Sequence, residues 1–359
     1  MAPATPRSSR YSTGVPALDA AVQAVLDASG VEHDRDLLLE ILVSAALLAG
    51  DGADRLDLKI TSAALKEMRT AFRAFAPYHN VRKVTIFGSA RTVPTQPSYA
   101  QAKALAAELA AAKWMVVTGA GPGIMAAGLE GAGRQASFGV NIRLPHEQEA
   151  NEFIVGDDKL VSMKYFFTRK LMLMKESTGF VSLPGGFGTI DETFELLTLV
   201  QTGKAVPAPI VLLDEPGGRF WRGLERFLRD AVLPGKYIDE KDFDLFLITD
   251  DVAVARDELL GFVRNYDSIR WVGNRLVVRL KHAPTDDELA ELSEQFGALS
   301  HTGGITRTEP LPAEVADDDK LDLARIALEY QGFQAGRLRR LIDALNHLPS
   351  LDALDAAPS

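Results

Sequence analysis

The chain has 359 residues, 47% hydrophobic and 25% charged, with a formal net charge of −10 and no cysteine. Its length exceeds one average domain, and its composition is that of a globular protein. The acidic balance argues against a nonspecific nucleic-acid binder, whose footprint is basic. The lack of cysteine excludes disulfides, thiolate nucleophiles and cysteine-held metals.

Residues 1–16 are rich in Pro, Ser, Thr and Arg and read as a mobile tail without the apolar core of a signal peptide. The longest apolar stretch, Ile41 to Ala49, is too short to span a bilayer. The expectation is a cytoplasmic protein with no membrane partner. Residues 17–78 carry helical apolar spacing and read as an N-terminal helical module. Packing or oligomer contact is its simplest use.

The core is expected over residues 79–266. Lys83 to Gly88, KVTIFG, reads as a β-branched strand running into Gly88-Ser89-Ala90-Arg91, and an Ala-rich helix follows from about Tyr99 to Ala112. Trp114 to Thr118 is a second strand. It enters Gly119-Ala120-Gly121-Pro122-Gly123-Ile124-Met125, and a small-residue helix and a third strand, Phe138 to Leu144, come next. This alternation predicts an α/β fold with a doubly wound, Rossmann-like parallel sheet. Ligands of such sheets bind outside the carboxyl ends of the strands. The Gly119 turn is not a dinucleotide fingerprint, because Ile124 stands where GxGxxG needs its last glycine and no acid follows about twenty residues on. It still suits one phosphate. No Walker GxxxxGK[ST] is present.

Ser162 to Gln201 reads as helix, buried strand, glycine turn and helix. Arg169 and Lys170 lie in its aromatic and Met-rich opening. Thr178 to Leu183 is the strand, and Pro184-Gly185-Gly186-Phe187-Gly188 the turn. Thr189 opens a helix bearing Asp191, Glu192 and Glu195 near its start. Free N–H groups at such a helix start suit a phosphate. The plain reading of Asp191 is dipole capping. Pro209 to Leu213 and Phe243 to Thr249 read as further strands, Phe220 to Val232 as an amphipathic helix, and Asp250-Asp251 as the cap of a helix running to about Tyr266.

Beyond the core, residues 267–310 predict a small α+β unit. Its strand Arg275 to Leu280, a helix opened by the capping box at Thr285 and a strand near Thr302 to Glu309 would make it βαβ-like. Residues 311–359 read as an acidic linker and a helical tail from Leu321 to Leu348. The tail's Arg337, Arg339 and Arg340 form a solvated face or, less simply, an anion site.

Pro184 to Glu192 matches PGGxGTxxE, the signature of the LOG ("Lonely guy") family. The chain therefore resembles the cytokinin-activating phosphoribohydrolases and the bacterial nucleotide 5′-monophosphate nucleosidases. Arg169-Lys170 fits the family's second signature, MxxRKxxM, in part, since Phe166 and Leu173 stand where methionines are usual. The resemblance spans Val81 to Val263. It implies that the TGxGPGxM stretch lines a nucleotide pocket and that the protein forms at least a homodimer. An old family label, possible lysine decarboxylase, has no support here, because no lysine stands in a context that singles it out as a cofactor Schiff base.

For a nucleoside 5′-monophosphate, the backbone around Gly119, Gly121, Gly123 and Met125, with Pro184, Gly185, Gly186, Gly188 and Thr189, would hold the 5′-phosphate. Gly88, Ser89 and Arg91 would add to that site. Glu192 is the candidate to activate water and stabilise an oxocarbenium-like sugar. As the family's arginine is thought to do, Arg169 would orient Glu192 or the ribose, and it would keep the carboxylate ionised. Lys170 is a phosphate or structural contact, and Glu195, on the same face as Glu192 one turn on, either binds the ribose or supports the site from behind. No cofactor is expected. The six histidines (33, 79, 146, 282, 301, 347) form no paired metal spacing, so no metal is expected either. Two alternatives stay open: a cytokinin-specific enzyme differing in its base pocket, and a nucleotide-binding sensor or carrier without turnover.

Overall fold

The computed structural model describes residues 11–143, 150–332 and 334–355. Residues 1–10 of the expected tail, Leu144 of the third strand and His146 lie outside them. The chain divides into two units, one ending at Glu67 and the other beginning at Met68.

The first unit holds helices α1 (Pro16–Ser29) and α2 (Arg35–Leu47) and the start of α3 (Arg55–Phe75). Val22, Leu26 and Val43 are its buried apolar anchors, at the helical spacing seen in the sequence. Gly30, at φ +67°, closes α1, where the left-handed conformation favours glycine.

The second unit is built on a seven-stranded sheet. In chain order its elements are β1 (Lys83–Phe87), α4 (Pro97–Ala111), β2 (Met115–Thr118), α5 (Ile124–Ala132), β3 (Ser137–Ile142), β4 (Leu160–Met163), α6 (Phe166–Lys175), β5 (Gly179–Ser182), α7 (Phe187–Gln201), β6 (Ile210–Leu213), α8 (Phe220–Phe227), β7 (Leu247–Thr249) and α9 (Val252–Gly261). The strands are all parallel, in the order β4-β3-β2-β1-β5-β6-β7. The sheet is therefore doubly wound. The winding reverses between β1 and β5, and that switch point is where such sheets bind ligands.

The central strands β1, β2, β5 and β6 are buried on both faces, which explains their near-continuous apolar runs. Strand alternation sorts the side chains into two cores. Val84, Ile86, Val116, Val181, Val211 and Leu213 fall in one. Phe87, Met115, Val117, Phe180, Ile210 and Leu212 fall in the other, with Phe75 stacked on Phe138 at 4.2 Å between ring centroids.

Next come β8 (Tyr266–Val272), β9 (Arg275–Leu280), α10 (Asp286–Phe296), β10 (Thr306–Arg307), α11 (Pro312–Ala316), β11 (Ala324–Leu328), α12 (Ala335–Asn346) and α13 (Pro349–Asp355). The strands form a second sheet, β10-β11-β9-β8, antiparallel throughout. Its buried Leu276, Val278, Leu280, Ile326 and Leu328 join the first of the two cores, together with Leu341, Ile342 and Leu345 of α12.

Several expectations change here. The βαβ-like unit is an antiparallel sheet, because a two-residue turn with Gly273 at φ +63° folds β8 directly onto β9. The helical tail begins at Ala335, and Ala324–Leu328 is a strand paired with β9. The last core strand is confined to Leu247–Thr249. Glu240–Leu245, which precedes it, is a 3₁₀ turn held by a reciprocal Asp239–Asp242 cap. Helix α9 ends at Gly261, leaving Tyr266 to open β8. Two expected caps are present: the Asp251 side chain accepts from Ala253 and Val254 N–H, and Thr285 and Glu288 cap each other's backbone.

Candidate active site

The loops that follow β1 and β5 border a cavity of about 560 Å³ at the switch point, a volume suited to a small-molecule ligand. Its walls are Gly88, Ser89, Ala90 and Arg91 after β1, Met125 of α5, Arg169 of α6, and Gly186 to Ile190 with Glu192 from the start of α7.

The turns are locked to one another by backbone bonds. Ser89 N–H donates to Pro184 O at 3.3 Å, and Ile124 N–H donates to Ser89 O at 3.0 Å. Gly123, at φ +69°, packs against the Ser89 and Ala90 backbone where a Cβ would collide. Glycine is required there for both reasons. Gly185 lies against the Thr189 side chain, and Gly119 lies against the Arg169 guanidinium. These two, with Gly121, Gly123 and Pro184, support the wall from behind rather than line it.

Helix α7 starts at Phe187, two residues before the position expected from sequence, with Gly186 as its N-cap. Its first-turn N–H groups, from Phe187 to Thr189, have no partner within the helix and sit at the cavity. The first turn carries no acid, so Asp191 is not a dipole cap. Its carboxylate instead pairs with Lys170 Nζ at 3.0 Å.

Arg169 is buried, 8% exposed. Its Nε donates to Val140 O at 3.0 Å, which fixes the guanidinium beneath the Gly119 turn. Nη1 stands 3.8 Å from Glu192 Oε1. Burial pushes the Glu192 carboxyl up to about 7, and the Asp191 and Glu195 charges add to this. Arg169 and Lys170 oppose it. The expectation that Arg169 keeps Glu192 ionised needs correcting: burial outweighs the arginine, and the carboxyl is poised near neutrality.

Lys170 and Glu195 do not line the cavity. Lys170 Nζ lies 2.5 Å from Glu195 Oε2, so its ammonium is committed to two carboxylates. Sequence reasoning passes over Asn151. Its backbone N–H and side-chain Nδ2 donate to Ala120 O and Gly121 O, both at 2.9 Å, and fasten the Gly119–Gly123 turn. A lone asparagine in a loop carries no spacing signal. Phe187, 94% exposed at the cavity rim, lies inside the recognised motif, which is the signal that could have found it. Among the described residues no cluster of His, Asp and Glu could hold a metal, and no helix is long and apolar enough to cross a membrane. Arg339 of the tail is buried against Glu258 and Asp343, while Arg340 pairs with Asp244.

Fold and site together define a doubly wound α/β protein with a buried Arg–Glu pair beside a helix N-terminus at the switch point. The family model described as "Possible lysine decarboxylase" matches residues 122–259. The cytokinin riboside 5′-monophosphate phosphoribohydrolase of Mycobacterium tuberculosis is 31% identical over 165 residues, which cover 44% of this chain and 86% of that protein. A protein of Arabidopsis thaliana, probable cytokinin riboside 5′-monophosphate phosphoribohydrolase LOG6, is 33% identical over 36% of this chain and 64% of its own length. Among solved structures, the molybdenum cofactor carrier protein of Chlamydomonas reinhardtii aligns over 50% of this chain and 98% of its own, at 20% identity and a TM-score of 0.35. The chain belongs to the LOG family.

Proposed function

We propose that the protein hydrolyses the N-glycosidic bond of nucleoside 5′-monophosphates, giving free base and ribose 5-phosphate. The observation that carries this reading is the Arg169–Glu192 pair in the wall of a cavity that also receives the α7 N-terminus. The names of the M. tuberculosis and A. thaliana relatives support the reaction class.

In this reading the N–H groups of Phe187 to Thr189 and the Ser89–Arg91 loop take the 5′-phosphate. That places the anomeric carbon towards Glu192. The ionised carboxylate removes a proton from water as the water oxygen bonds to C1′. The electron pair of the C1′–N bond leaves with the base, which gains a proton from solvent or from Glu192. A carboxyl poised near 7 suits both halves of that exchange, since it is partly ionised and partly protonated at neutral pH. Arg169 holds the carboxylate in place and stays charged throughout.

The test is chromatographic. Purified full-length protein is incubated without added metal with AMP, GMP, CMP, UMP, IMP and isopentenyl-AMP, alongside Glu192→Gln. Base released by the wild type and lost by roughly 10²–10⁴-fold in the variant is the expected result. Release from isopentenyl-AMP alone would narrow the reading to a cytokinin-type enzyme. Nucleotide bound without any release of base would overturn it in favour of a carrier or sensor.

A further inference from the structure

Two ion-pair rungs connect α6 to α7. The inner one is Arg169–Glu192. The outer one is Lys170, whose Nζ lies 3.0 Å from Asp191 Oδ2 and 2.5 Å from Glu195 Oε2. Residues 169 and 170 are consecutive on α6. On α7, Asp191 precedes Glu192 directly, and Glu195 follows one turn later on the same side. Lys170 therefore engages both carboxylates that flank the reacting one. We propose that Lys170 is a positioning residue: it clamps α6 to α7 beside the Arg169–Glu192 pair and offsets half of the negative charge of the two carboxylates next to Glu192. This departs from a role for Lys170 as a phosphate contact.

The ammonium is suited to the task. Burial pulls it down, but its pairing with the Glu195 and Asp191 carboxylates holds it above the usual lysine range, so it stays charged at every working pH. The charged groups facing Glu192 are Arg169 and Lys170 from α6, Asp191 and Glu195 on its own helix, and Arg91 across the cavity. Without Lys170, two uncompensated negative charges would remain within a turn of Glu192. Like charges at that range favour the protonated carboxyl.

The inference rests on Glu192 being the reacting carboxylate of the proposed nucleosidase, but its test reads the carboxyl itself. The full chain is labelled at glutamate Cδ, and its carboxyl titrations are followed by NMR, with Glu192 assigned from the signal lost in Glu192→Gln. Lys170→Met should move the Glu192 midpoint to higher pH, by about tenfold in proton concentration. Lys170→Met with Glu195→Gln should bring it back, and Lys170→Arg should leave it near the wild-type value. Should Lys170→Met fail to fold, Glu195→Gln alone should move the midpoint down. An unmoved midpoint in every folded variant would overturn the proposal. If base is released, the acidic limb of kcat/KM should follow the same changes. A brace that acted only on the fold would lower kcat without moving that limb. If no base is released, the midpoints still decide whether Lys170 acts on Glu192.

Discussion

Arg169 Nη1 and Glu192 Oε1 lie 3.8 Å apart, close enough for an ion pair and too far for a good hydrogen bond. This separation leaves the burial of Glu192 only partly compensated. A carboxyl whose folded value is raised gives stability that is full below its unfolded value and is lost as pH rises through the folded one. Wild-type stability should therefore decline between roughly pH 4.5 and 7 on account of Glu192. Glu192→Gln should remove that decline. The variant should unfold at the same temperature as wild type near pH 4.5 and at a higher one at pH 8. The difference should be no more than about 3.5 kcal/mol, since each tenfold change in proton affinity between the unfolded and folded chain corresponds to roughly 1.4 kcal/mol. Thermal unfolding at the two pH values checks it.

Activity should show the same group from the other side. If ionised Glu192 accepts the proton, kcat/KM should rise with pH through about 7 and then level off. Arg169→Met removes the charge that opposes burial, so the rise should move to higher pH as well as losing amplitude. An initial-rate profile from pH 5 to 9 tests both.

The glycines of the two turns should separate support from contact. In Gly119→Ala the new methyl would overlap the Arg169 guanidinium and approach Met125 Sδ at 2.6 Å. Overpacking of this kind costs about 1–3 kcal/mol, and here the strain falls on a proposed catalytic side chain. We expect kcat to fall at least tenfold. At Gly188 a methyl meets nothing within 4 Å, and alanine gains about 1 kcal/mol of helix propensity over glycine. Yet Gly188 lines the cavity, so Gly188→Ala should keep or raise the Tm while raising KM. Rates and Tm measured on the same preparations distinguish the two.

Much of this frame is legible in the sequence, and the exceptions have physical causes. The central strands announce themselves because both their faces are buried, giving runs such as Val84–Phe87 and Ile210–Leu213. β11 does not, because Arg325 interrupts the apolar run of ARIAL. The arginine is buried at 3% exposure because it meets Glu314 and the carbonyls of Asp319, Lys320 and Leu323, partners that no periodic pattern reveals. β8, YDSIRWV, lies partly exposed and mixes charge with apolar residues, so its period is weak. Within the site, PGGxGTxxE marks the turn and Glu192. The true destination of Lys170 is hidden, because sequence spacing does not tell which face of α6 meets α7.

Asn346, at the end of α12, ties that helix to the start of β8. Its Oδ1 accepts from Asn265 and Tyr266 N–H, each at 2.8 Å, and its Nδ2 donates to Phe262 O at 2.6 Å. The residue is 1% exposed. Asn346→Leu fills similar space but strands two buried N–H donors and one carbonyl. At about 1–3 kcal/mol per stranded group, it should be among the more damaging single changes in the C-terminal half. Asn346→Asp keeps the acceptors but buries a carboxylate and turns an acceptor oxygen on the Phe262 carbonyl, so it should also destabilise at neutral pH and become milder where the carboxyl is protonated. Denaturant midpoints for the two variants supply the comparison.

The second sheet carries its own buried ion cluster. Glu314 is fully buried. Its Oε1 accepts from Arg279 Nε and Nη2 at 2.9 and 2.7 Å and from Arg325 Nε at 3.3 Å, and its Oε2 accepts from Leu311 N–H at 3.1 Å. Burial pushes the carboxyl up, but the Leu311 N–H and the Arg279 guanidinium hold it below the usual glutamate range. Its contribution is therefore present above the unfolded value and is lost as pH falls through the folded one, the opposite sign to Glu192. Glu314→Gln takes the countercharge from buried Arg325 and leaves Arg279 with Asp319, and breaking such a cluster from one side costs about 3–5 kcal/mol. The loss should be largest at neutral pH and shrink as pH falls through the folded value, where wild type becomes protonated too. The site residues lie in the loops after β1 and β5 and on α5, α6 and α7, so any base release by the folded fraction at low temperature should be unchanged. A matching fall in kcat would mean that the second sheet helps to hold the catalytic cavity.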